Sequence, residues 1–82
     1  MLRDVAERGL VATEKMHAEC TRDAAYLRAL VVELEKAGPQ AEATAARHRA
    51  FAEQLEARRN ELSYELSAAK NVLAAAMASE EK

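Results

Sequence analysis

The chain has 82 residues, half of them apolar but only 4% aromatic, with 2 glycines, 1 proline, no tryptophan and a formal net charge of −2. Each half carries six bases and seven acids, so no basic face, acidic tail or charge block marks a nucleic-acid or membrane-surface protein. No apolar run approaches the roughly 18 residues of a membrane span, and a chain rich in Ala, Glu, Arg and Leu with few breakers has the composition of long helices and coiled coils rather than of disorder.

Twenty of the residues are alanine. A core built mostly of alanine buries little apolar area per residue, and a chain this short buries a modest share of its surface. Oligomerisation, or a place as a subunit of a larger complex, is therefore expected. Cys20 is the only cysteine, which excludes an internal disulfide and favours a reducing compartment; the cytoplasm is the expected location. The opening "MLRDVAERGL" contains Asp4 and Glu7, and so fits neither a secretory nor a mitochondrial leader.

Residues 2–37 predict the first helix. Apolar positions recur at Leu2, Val5, Gly9, Ala12, Met16, Cys20, Ala24, Leu27, Val31 and Leu34. The steps of three and four make a heptad seam, with an extra step of four between Met16 and Ala24 that predicts a local stutter.

The stretch "EKAGPQAEA" interrupts this pattern. Gly38 suits the residue just past a helix C-terminus, where positive φ is needed. Pro39 suits the first turn of a new helix, because the N–H it lacks has no partner there. Lys36 before the break and Glu42 after it complement the two helix dipoles.

A second helix is predicted over residues 40–79, with a stripe at Phe51, Leu55, Arg58, Leu62, Leu66, Ala69, Leu73 and Ala76. It carries a stutter near Leu62, and Arg58 is read as a side chain snorkelling from the seam edge. The two arms are nearly equal in length. Folding about Gly38 and Pro39 sets Leu27 opposite Phe51, Met16 opposite Leu62 and Val5 opposite Leu73. The expected fold is all-α: residues 1–82 form one module, an antiparallel coiled-coil hairpin that belongs to a larger helical bundle. The competing arrangement is a bent rod paired with another chain.

Both helices carry further lines of small residues. Val11, Ala18, Ala25, Ala29 and Val32 run along the first helix, interrupted by Lys15 and Arg22; Ala46, Ala50, Ala57, Tyr64, Ala68 and Ala75 run along the second. Alanine is the best surface helix former, so such lines arise without function. Val11, Val32 and Tyr64 mark them as a candidate second interface.

Chemistry-bearing patterns are sparse. Glu14 and His17 form one Glu-x-x-His pair, whereas a di-iron bundle needs two; His48 has Ala45 three residues before it. His17 and Cys20, one turn apart, would make a Cys2His2 zinc site only across a dimer, and both fall at the apolar stripe, where packing explains them. No metal, cofactor or catalytic set is expected. Arg47, Arg49, Arg58 and Arg59 are the nearest approach to a phosphate-binding cluster, but Glu53, Glu56 and Glu61 lie within about a turn of them. The stretch "LEARRNELSYELSAAKN" (55–71) resembles the tRNA-reaching coiled-coil arm of seryl-tRNA synthetases over about a fifth of the chain, in common helix residues, and carries no family assignment.

These patterns point to a non-enzymatic structural module that assembles with protein helices, its own or a partner's, without nucleic acid or membrane. Two alternatives remain open from the residues: a segment of parallel coiled coil from a longer cytoskeletal or motor-like protein, and an RNA- or tRNA-binding arm.

Overall fold

The computed structural model describes residues 2–80; residues 1, 81 and 82 of the expected module lie outside the described residues. The chain forms helix α1 over Leu2–Lys36, a short 3-10 turn over Pro39–Ala41, and helix α2 over Glu42–Glu80. The two long helices lie antiparallel against each other. A single 82-residue helix would extend roughly 120 Å at 1.5 Å per residue; the molecule measures 65 × 13 × 13 Å. Bonds between distant positions fix the direction: Arg3 reaches Glu80 at 3.4 Å, and Arg28 reaches Glu56 at 2.7 Å.

The reversal follows from local chemistry. The last turn of α1 tightens as the Ala37 and Gly38 amides donate to the carbonyls of Leu34 and Glu35. Gly38 then adopts φ 103° and ψ −173°, a region that only glycine enters without strain. Pro39 opens the 3-10 turn, the Ala41 amide donates to the Gly38 carbonyl at 3.1 Å, and Gln40 Nε2 donates to the Ala37 carbonyl at 2.7 Å. A carbonyl left over at the end of α1 thus finds a side-chain partner. This extra turn delays α2 to Glu42, where the reading from sequence starts it at residue 40.

The seam between the helices is more regular than the apolar residues suggest. On α1 the positions Ala6, Leu10, Thr13, His17, Cys20, Ala24, Leu27, Val31 and Leu34 are all buried or half-buried, and they step strictly by alternating four and three. On α2 the same holds for Ala45, His48, Ala52, Leu55, Arg59, Leu62, Leu66, Ala69, Leu73 and Ala76. Neither line contains a stutter. The expected stutters arise because the stripes read from sequence sit one residue off this seam over part of each helix: Val5 for Ala6, Gly9 for Leu10, Met16 for His17, Phe51 for Ala52 and Arg58 for Arg59. The helices instead set small side chains between them. Ala45, Ala52 and Leu62 are each 0% exposed, while Phe51 is 54% exposed. A phenyl ring on the seam would hold the axes apart and open voids beside the alanines, so close packing turns it to the flank.

Polar seam residues are satisfied locally. Thr13 Oγ1 donates to the Gly9 carbonyl at 2.8 Å, and His17 Nε2 lies 3.0 Å from Ser63 Oγ on α2. Among the described residues no buried side-chain nitrogen or oxygen lacks a partner.

Candidate interaction surface

A heptad seam has a flanking row on each side of each helix, and in an antiparallel pair like rows meet like. On this hairpin the two resulting edges differ in chemistry.

One edge is polar and closed. It joins the α1 row Glu7, Glu14, Thr21, Arg28, Glu35 to the α2 row Glu42, Arg49, Glu56, Ser63, Lys70, and becomes apolar only at Met77. Arg28 grips Glu56 with two bonds, Nε to Oε2 at 3.2 Å and Nη2 to Oε1 at 2.7 Å. Arg49 Nη2 bridges Glu35 at 3.3 Å and Glu42 at 3.0 Å, tying both helices beside the turn. The hydrogen bond from Arg28 holds the Glu56 carboxyl below its ordinary value, against the opposing effect of desolvation and with help from the charges of Arg28 and Arg59.

The opposite edge is apolar and open. Its α1 row is Leu2, Gly9, Met16, Asp23, Leu30, and its α2 row is Thr44, Phe51, Arg58, Glu65, Val72, Ser79. Leu2, Val72 and Phe51 are 78%, 59% and 54% exposed, and Val5, one row further out, is 67% exposed. At the open end of the hairpin the edge is hollowed into a groove of about 560 Å³, whose lining includes Leu2, Val5, Gly9, Val72 and Ala75. A Cβ added at Gly9 would meet nothing within 4 Å, so the recess is real space on this side. Charge is confined to the middle of the edge: Asp23 on α1, and on α2 Arg58, which pairs with Glu61 at 3.1 Å and Glu65 at 3.6 Å.

The residues singled out from sequence therefore divide. Leu27, Val31, Leu34, Leu55, Leu62, Leu66 and Leu73 lie between the two helices; Leu2, Val5, Met16 and Phe51 stand on the open edge. Val11, Ala18, Ala25, Val32, Ala57 and Tyr64 are all exposed on the outside of the hairpin, Tyr64 at 80%. Arg58, expected at the seam edge, is on the flank, and the seam position belongs to Arg59, which bonds Asn60 at 3.4 Å. Of the four clustered arginines, Arg49 and Arg58 are held by carboxylates and Arg59 is half-buried. Among the described residues, no three His, Cys, Asp or Glu side chains converge as metal ligands, and no helix is long and apolar enough to cross a membrane.

Ala6, Leu10, Thr13, Ala45 and Ala52 are seam positions absent from the stripes expected from sequence. An unbroken alternation of three and four was the signal available for them. Comparison with protein-family models, with curated proteins and with solved structures yields no match to this chain.

Proposed function

We propose that this hairpin is a structural assembly module, a coiled-coil element whose ligand is another protein helix docked along its open apolar edge. The difference between the two edges carries the reading. One is sealed by ion pairs between α1 and α2, whereas the other displays Leu2, Met16, Phe51 and Val72 in rows at helical spacing. Rows seven residues apart on two parallel axes form the hole pattern into which a further helix packs its knobs. In this reading the chain catalyses no reaction and holds no cofactor. A cytoplasmic setting suits its lone, half-buried thiol.

The test is sedimentation of fluorescently labelled chain, alone and in an extract of the cells that make it. The expected result is a shift to larger species that disappears in Phe51→Glu/Val72→Glu, while Ser63→Glu on the polar edge leaves it in place. A chain that sediments as a free helical hairpin under every condition defeats the proposal.

A further inference from the structure

The open edge is complementary to itself. Along α2 its row reads Thr44, Phe51, Arg58, Glu65, Val72, Ser79. Run antiparallel against an identical row, this sequence sets polar against polar, Phe51 against Val72 and Arg58 against Glu65, then repeats each pair by symmetry. The centre falls between Glu61 and Leu62. On α1 the bulky residues Tyr26 and Leu30 lie toward the turn, and the small residues Gly9 and Ala12 toward the open end. Reversal about a centre between Glu19 and Cys20 lays Leu30 over Gly9, brings Tyr26 to the height of Thr13 beside Ala12, and sets Met16 against Asp23. The two centres lie at one height in the hairpin, because His17 and Ser63, bonded at 3.0 Å, sit beside them. A single two-fold axis therefore serves both helices, with Met16 against Asp23 as the one apolar-against-charged pair.

We propose that the occupant of the open edge is a second copy of this chain, with α2 antiparallel to α2 and α1 antiparallel to α1 in a four-helix dimer. This assignment rests on the helix-docking reading and names its partner. Phe51 of each copy enters the groove at Gly9 and Val72 of the other, where an added Cβ finds no neighbour within 4 Å. Arg58 of each copy meets Glu65 of the other; in the single hairpin the same groups are only 3.6 Å partners on an exposed surface. A same-direction dimer, with α1 over α2, would instead set Arg58 against Asp23 and Glu65 against Met16, so Arg58 and Glu65 would not pair between copies. In the antiparallel dimer the facing rows run nearly the whole 65 Å length of the hairpin. Such a dimer closes, since a two-fold interface uses the same patch on both copies.

Charge exchange between two full-length variants tests the pairing. Arg58→Glu sets two acids against each other at both ends of the central pair, and Glu65→Arg sets two bases. Each variant alone is expected to self-associate at least about tenfold more weakly than the native chain in sedimentation equilibrium. An equimolar mixture should recover a one-to-one heterodimer, although the charge repulsion within each chain persists. Circular dichroism of each variant confirms that it remains helical. A mixture no tighter than its components overturns this arrangement, as does native-like association of either variant. A native chain that stays monomeric when purified also overturns it; if that chain still shifts in cell extract, the helix-docking reading survives, and if it does not, both fall.

Discussion

At the scale of the residue, the reversal of the chain depends on Gly38. Its φ of 103° with extended ψ lies where a Cβ is strained, and an added Cβ would also come within 3.1 Å of Gln40 Oε1. That contact matters because Gln40 is the residue that caps the Ala37 carbonyl. Gly38→Ala is expected to cost about 1–3 kcal/mol. In a chain of this size that is several degrees of thermal midpoint or more, read by circular dichroism at one fixed concentration. An unchanged midpoint would mean that the turn relaxes freely and does not hold the fold. The need for positive φ at Gly38 was legible in the sequence, because glycine followed by proline between two helical patterns has few other uses. The capping role of Gln40 was not, since it depends on the 3-10 turn that brings its amide back to α1.

At the scale of the element, each helix presents three kinds of surface: a seam of small and medium side chains, a polar flank and an apolar flank. The polar flank makes the hairpin sensitive to acid. A carboxyl whose folded value lies below its unfolded one takes up a proton less readily in the hairpin than in the unfolded chain. The contribution of Glu56 is thus fully present above the ordinary carboxylate value of about 4.3, and is lost as pH falls through the lowered folded value. Glu56→Gln should melt below the native chain at pH 7, and the gap between the two should close as pH drops below about 4. A gap that persists at low pH would mean that Arg28 and Glu56 act through packing and not through charge. The heptad period is legible in the sequence of both helices but its phase is not: Phe51 and Met16 read as seam residues where Ala52 and His17 sit. Phase is a property of two helices together: the separation they adopt decides whether an alanine or a phenylalanine fits between them, and no single helix carries that information.

At the scale of the whole molecule, the hairpin is one continuous seam joined by one turn, long and thin. Spin labels at Lys15→Cys and Glu61→Cys, in a Cys20→Ser background, should lie within about 25 Å of each other, since packed helix axes are roughly 8–10 Å apart. A straight rod would separate them by roughly 70 Å at 1.5 Å per residue. Dilution into unlabelled chain confines the measurement to pairs within one molecule, and a long distance under that condition would contradict the reversal. The seam holds no side chain larger than leucine among its fully buried positions, and Leu62 is the largest of them. Such a core stabilises weakly, which is the physical ground for expecting the open edge to be covered in use.

By itself the sequence determined that the chain is helical, that it breaks at Gly38 and Pro39, and that each arm repeats with a heptad period. These follow from propensity, breakers and spacing, all of which act within a few residues. Only the tertiary structure decided that Arg28 would clasp Glu56, and that Leu2, Phe51 and Val72 would share the edge opposite that pair. Those relations join residues tens of positions apart, and they exist only once both helices have settled their separation and rotation about a common seam.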